Sequence, residues 1–452
     1  MVELTGARSG EAPLTWGQRA IWNAIGRTAP ADHYFNLSRE LVLTDRLAST
    51  VDDVRWALGQ LMARHEALRT RVRVVDGEPR QLVAASGRLP IRVAAAVPAD
   101  LAADRFDYAG EWPLRVALVT RDGLVRTMVL AFCHLAVDGH GAELVVQDLR
   151  LLLRAARRGR ATPPAPARRQ PLDLAHAEAS PEGRQDSATA LAYWRRELDR
   201  LPPTMFATPL AEPERPRFWT ARIVSRAIDY AVDRLATRHR VSTSTVLLAA
   251  SGALVGAATG HRRCAIMPIV SNRFQADHQE LVTTLSQDGL LVLDFDALEE
   301  PTFGALVPSA WRAGLRAYRH ARYDPDAWDR LFAELSRDRG VPTHPYCCFN
   351  DMRLVDRPTG LADGSAALAD TRLEWTARHE RVACRFCLHI TSEPAGLSVS
   401  LTADTRYLPP GLIERYLSAL EMLLVSAVDR EVPLAELPRL LAGARTPAAT
   451  DA

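Results

Sequence analysis

The stretch Cys133-His134-Leu135-Ala136-Val137-Asp138-Gly139 joins an apolar run, Thr127-Met128-Val129-Leu130-Ala131-Phe132, to a segment patterned as a helix from about Gly141 to Arg154. The apolar run reads as a buried strand. In the helical segment Leu144, Val145, Asp148, Leu149 and Leu152 recur at helical spacing. His134 therefore falls at a strand end, and Asp138 and Gly139 fall in the turn before the helix. Gly139 suits a tight turn, because a residue without Cβ tolerates backbone angles that others resist. A histidine and an aspartate four apart beside a turn can face one cavity, the first to move or orient a proton. The same pattern also arises as a capped helix start with a nearby histidine. Its weight depends on the rest of the chain.

Length and composition bound the rest. At 452 residues the chain has room for two to three domain-sized units. Hydrophobic residues make up 47% and charged residues 24%, an ordinary globular balance that supports a large core. The 56 basic residues, all arginine, nearly cancel 54 acidic ones, so bulk charge makes no case for nucleic acid. No apolar stretch approaches the length of a membrane span. Met1 to Pro13 carries Glu3 and Glu11 and no apolar signal core, so a cytoplasmic protein without membrane attachment is expected.

Six cysteines in so long a chain do not form a disulfide scaffold. Cys384-Arg385-Phe386-Cys387 has metal-ligand spacing, and Cys347-Cys348 offers a second pair. Alternation from Val382 to Ile390, however, reads as a strand that points Cys384 and Cys387 to opposite faces. The sequence thus predicts no metal site and reduced thiols instead.

Outward from the motif, Thr15 caps a helix that buries Ile21, Trp22 and Ile25. Phe35 to Leu43 alternates as a strand. Thr50-Val51-Asp52-Asp53 opens a helix with Val54, Leu58, Leu61 and Met62 on one stripe, which leads into Arg64-His65-Glu66-Ala67-Leu68-Arg69-Thr70. Residues 161–190 are rich in Pro, Arg, Ser and Ala and read as a linker. They separate an N-terminal lobe, residues 1–160, from a C-terminal lobe, residues 191–452. In the second lobe, Ser242 to Ala258 is a helix apolar on nearly every side, and Cys264 to Val270 is a strand. Helical patterns follow at Phe303 to Ala321 and Asp326 to Arg337. Strands and helices that alternate in this way predict an α/β fold of layered helices and sheets.

Several of these stretches resemble, in order, the condensation domains of nonribosomal peptide synthetases. Cys133 to Gly139 resembles that family's His-His-x-x-x-Asp-Gly motif. Leu14-Thr15-x-x-Gln18-x-x-Ile21-Trp22 resembles its opening motif, and Arg64 to Thr70 matches its Arg-His-Glu-x-Leu-Arg-Thr motif in full. Val241 to Gly260, Ser271-Asn272-Arg273 and Phe349-Asn350 resemble later segments.

The resemblance implies two lobes similar to chloramphenicol acetyltransferase, set in a V around a central tunnel. It implies an acyltransferase that joins a carrier-bound acyl or aminoacyl thioester to an amine or hydroxyl acceptor, in antibiotic and other secondary metabolism. No cofactor is bound; substrates arrive on the phosphopantetheine arms of acyl or peptidyl carrier proteins. A free-standing monomer is expected. His134, Asp138 and Gly139 are the expected catalytic residues. Within that assignment Asp138 needs a positive partner, for which Arg69 and Arg273 are the candidates. Cys133, Asn350 and Gln287 are the expected substrate-contacting residues.

Two departures stand out. Cys133 replaces the family's first motif histidine, and Thr283 to Asp288 (TTLSQD) replaces its Gly-x-Phe-Val-Asn-Thr stretch. A carrier-protein docking module and a coenzyme-A-dependent O-acyltransferase are the alternative readings.

Overall fold

The computed structural model describes residues 1–45, 47–98, 100–159, 168–353, 371–382, 384–443 and 450–451. The chain divides into two compact units. The first holds Met1–Ser187 and Ser271–Gln287, the second Ala188–Val270 and Asp288–Ala452.

The first unit is built on a four-stranded sheet in the order Leu37–Val42, Leu124–Phe132, Leu114–Arg121, Ile91–Ala94. The first three strands run antiparallel, and Ile91–Ala94 joins parallel to Leu114–Arg121. Helices Val51–Arg64 and Gly139–Arg157 supply the apolar layer. Leu58, Leu61, Met62, Val145, Leu149 and Leu153 meet Val116, Leu118, Leu130 and Phe132 in one core. Burying that face, rather than propensity, holds such helices in place.

Both early helices begin as their sequences predict. Thr15 accepts from Gln18 N while Gln18 Oε1 accepts from Thr15 N at 2.9 Å, and Thr50 and Asp53 repeat the arrangement. The family-like opening motif is therefore a capping box first of all.

The second unit is built on a mixed sheet. Arg263–Val270, Cys347–Asp351 and Phe386–Glu393 run parallel. Gly396–Asp404, Phe218–Ser225 and Arg372–His379 then continue it antiparallel. Helices Thr243–Thr259, Phe303–Arg319 and Pro410–Asp429 bury its apolar layer. No single described helix is long and apolar enough to cross a membrane. The α/β class holds in both units.

The expected linker differs. Residues 160–167 lie outside the described residues, but Pro171–Glu178 is a helix and Pro181–Leu198 is another. Gln170 and Asp173 cap the first, and Leu172, Leu174 and Ala175 are buried. Short apolar anchors in a Pro/Ala/Arg-rich stretch outweigh its linker composition once they find a core. The second difference is that Ser271–Gln287, from the expected C-terminal lobe, belongs to the first unit. Leu281 and Leu285 pack on Leu174 there, and Val282 enters the main core.

Candidate functional site

The motif strand ends at Phe132, and the helix Gly139–Arg157 begins seven residues on, as the pattern requires. Asp138 is the helix cap. Its Oδ1 accepts from Gly141 N at 2.8 Å, and its backbone carbonyl accepts from Ala142 N at 2.9 Å.

The same carboxylate holds a second element. Arg273 donates from Nη1 to Oδ2 at 2.7 Å and from Nη2 to Oδ1 at 2.9 Å, a bidentate pair. Leu285 N and Ser286 N donate to Oδ2 at 3.0 and 3.2 Å. Both partners of the pair keep only 4% of their side-chain exposure. Burial alone would push the Asp138 carboxyl up. The Arg273 guanidinium and the backbone N–H groups outweigh it and hold the carboxyl below its ordinary range. Asp138 is thus an ionised, fully engaged anchor.

Arg69, the other candidate partner, is placed elsewhere. Its side chain is buried against Gly6, where a Cβ would lie 2.3 Å from the guanidinium carbon. Nη1 donates to Arg8 O at 2.7 Å and to Ala84 O, and Nη2 lies 3.9 Å from Glu66. The Arg64–Thr70 motif is a cross-brace. Arg64 and His65 both donate to Asp148 of the motif helix, at 2.8 and 2.7 Å, and Glu66 N donates to Gln170 Oε1. Arg8 bridges Glu66 and Asp173.

His134 is half-buried at the strand end. Its Nδ1 lies 3.0 Å from Val137 O. A carbonyl only accepts, so Nδ1 carries the hydrogen and the neutral ring presents a lone pair at Nε2. The described residues give Nε2 no hydrogen bond. Burial lowers the ring's pKa below 6.5, a shift only partly opposed by the Asp138 charge, so the ring is neutral at neutral pH. Phe35 stands edge-on to it, with centroids 6.4 Å apart.

The Thr283–Asp288 departure bears directly on this turn. Thr284 Oγ1 donates to His134 O, and Leu285 and Ser286 reach Asp138 through their N–H groups. Gly17 allows the close approach: a Cβ there would lie 2.2 Å from Thr284 O. Thr284 is a residue that the sequence reading did not single out. Its place in the TTLSQD stretch, which replaces the family's Gly-x-Phe-Val-Asn-Thr segment, is the trace it leaves in the sequence.

Cys133 points away from His134, as neighbours at a strand end do. It is 3% exposed among Leu14, Val72, Phe106 and Leu135. Burial pushes its thiol up to about 12, which removes it as a nucleophile at neutral pH. Gln287 is buried at the end of the first unit. Asn350 belongs to the second unit, half-buried on the strand Cys347–Asp351 and in register with His389.

The thiols differ from the strand reading. Phe386, not Val382, opens the strand, so Cys384 belongs to the turn before it and escapes the alternation. Its sulfur and those of Cys348 and Cys387 lie within 4.8 Å of one another.

With this geometry in hand, likeness to known proteins is informative. Residues 8–331, more than half of the chain, match the family described as Condensation domain. The chain belongs to the condensation-domain family. CymA of Salinispora arenicola, named as a nonribosomal peptide synthetase, is 30% identical over 74% of this chain and 4% of its own length. The isonitrile lipopeptide synthase of Mycobacterium tuberculosis is 28% identical over 93% of this chain and 17% of its own. The chain thus spans a small part of these synthetases. Among solved structures, the condensation domain of the monacolin K polyketide synthase MokA superposes with a TM-score of 0.71 at 16% identity, over 94% of this chain and 99% of that one. SgcC5 of Streptomyces globisporus does so at 0.64 and 20%, over 92% and 99%. At such identities these structures speak to the fold alone: the layered, chloramphenicol-acetyltransferase-like fold of condensation domains. In this condensation domain the motif aspartate is an anchor, and the motif histidine carries the open nitrogen.

Proposed function

We propose that the protein condenses a carrier-bound acyl or aminoacyl thioester with an amine or hydroxyl acceptor, with His134 Nε2 taking the acceptor's proton. The acceptor nitrogen attacks the thioester carbon, and the new C–N bond produces a tetrahedral oxyanion. Nε2 removes the proton from the attacking amine. Collapse breaks the C–S bond, and the proton passes to the departing phosphopantetheine thiolate, so the ring returns neutral.

The single observation that carries this reading is the Nδ1–H to Val137 O bond, which leaves Nε2 unprotonated and open. The Gly139 and His140 N–H groups precede the helix-start donors taken by Asp138, and supply donors for the oxyanion. Cys133, Gln287 and Asn350 were expected at the substrate. Burial of Cys133 behind the turn disfavours it, whereas Gln287 and Asn350 stay in the proposal.

The test is turnover of an acyl-loaded carrier protein with a panel of amine and alcohol acceptors, wild type against His134→Ala. Product from the wild type and its loss in the variant support condensation. Equal product from both contradicts it. Carrier binding without turnover for every acceptor points to a docking module instead.

A further inference from the structure

Three sulfurs converge in the second unit. Cys348 and Cys387 are directly opposite each other on the parallel strands Cys347–Asp351 and Phe386–Glu393. Opposite residues in register share a face, so both thiols stand on the same side of the sheet. Cys384 reaches them from the turn before Phe386. All three sulfurs lie within 4.8 Å of one another, and among the described residues they form a compact set of soft ligands.

The turn that delivers Cys384 is braced. Phe386 N donates to Tyr346 O at 3.1 Å, and Asp404 N donates to Arg385 O at 3.0 Å. The Arg385 guanidinium lies over the rings of Tyr346 and Tyr407, 4.4 and 4.2 Å from their centroids, and donates to Phe206 O. These contacts hold the residue next to Cys384 in place.

We propose that Cys348, Cys384 and Cys387 bind one zinc ion through three thiolates, with the fourth position taken by a water or by His389. His389 follows Cys387 by two residues on the same face of its strand. Zinc–sulfur bonds of about 2.3 Å place tetrahedral thiolates about 3.8 Å apart. A sulfur triangle with no side longer than 4.8 Å leaves that spacing within reach.

Zinc takes cysteine as the thiolate, so binding releases the thiol protons to solvent. A disulfide would use two of the sulfurs and leave the third without a role. The ion would fasten the turn at Cys384 to the strand that carries Asn350.

The test uses the full chain, reduced and metal-free under anaerobic conditions, titrated with cobalt(II) as the spectroscopic stand-in. The expected result is one equivalent bound, with intense tetrahedral d–d bands and sulfur-to-cobalt charge transfer that zinc(II) abolishes. Cys384→Ser and Cys348→Ala lose the charge transfer, while Cys264→Ala keeps it. Circular dichroism identifies any variant that fails to fold, and the remaining variant then decides. Absence of saturable charge transfer in the wild type overturns the proposal. So does an unchanged band in a folded Cys384→Ser or Cys348→Ala protein.

Discussion

At His134 two requirements meet: a base needs a lone pair, and a buried ring needs its other nitrogen satisfied. Val137 O meets the second at 3.0 Å and so provides for the first. Replacing the ring, as in His134→Ala, is expected to cut turnover roughly 10²–10⁴-fold, the usual worth of a positioned base. The melting temperature stays close to wild type, because the lost contacts are few. The acid limb of kcat/KM is expected below pH 6.5. Burial depresses the ring's pKa, and activity falls only when the neutral form is lost. Cys133→Ala is expected to keep activity within a few-fold, and mass spectrometry is expected to find no acyl adduct on Cys133. The place of the His134–Asp138 turn, between a strand and a helix, was legible from the pattern of apolar residues on either side. Arg69 was not, because a buried arginine pairs with whatever its burial site offers. That site is made by Gly6 and Arg8, about sixty residues before Arg69, and by Ala84, 15 residues after it.

The elements around the motif are joined through Asp138. It caps its own helix and receives Arg273 and the 283–286 segment, so its loss affects two elements at once. Arg273→Ala leaves a buried carboxylate without its cation, and about 3–5 kcal/mol of stability is expected to go in urea unfolding. The sign with pH follows from the depressed carboxyl. Its stabilisation is present above the ordinary aspartate range and is lost as pH falls through the folded value. Wild type is therefore expected to lose more stability on acidification than Asp138→Asn, whose side chain does not titrate. Gly17→Ala is expected to displace Thr284 and lower turnover with a smaller loss of stability, since a Cβ cannot stand 2.2 Å from a carbonyl oxygen. Helix starts were legible from Thr15, Thr50 and Asp53, whose capping chemistry is local; the return bond from Gln18 completes the first. The helix Pro171–Glu178 was not, because its stability comes from Leu174 meeting Leu281 and Leu285, a contact with no local signal. The start of the strand at Phe386 was not legible for a similar reason: alternation by residue type runs on beyond the residues paired in the ladder, which begins with Phe386 opposite Ala403.

At the scale of the chain, the family's long motifs act as bracing around the short turn from His134 to Asp138. The Arg64–Thr70 segment ties the helix Val51–Arg64 to the motif helix through Asp148, and to the helix Pro171–Glu178 through Gln170 and Arg8. Asp148→Ala leaves Arg64 and the buried His65 without their shared acceptor. A destabilisation of about 1–3 kcal/mol is expected, read as a lower thermal midpoint, with turnover retained at low temperature. The α/β class was legible from alternating periodicities. The division of the chain was less so, because Ser271–Gln287 is covalently part of one half and packs in the other.

The proposed chemistry depends on the state of one ring, which nitrogen-15 NMR of histidine-labelled protein reads out. The expected spectrum is that of a neutral His134 with its hydrogen on Nδ1 and its lone pair on Nε2, titrating below pH 6.5. A ring protonated at Nε2 in the neutral state, or one titrating above pH 6.5, would contradict it.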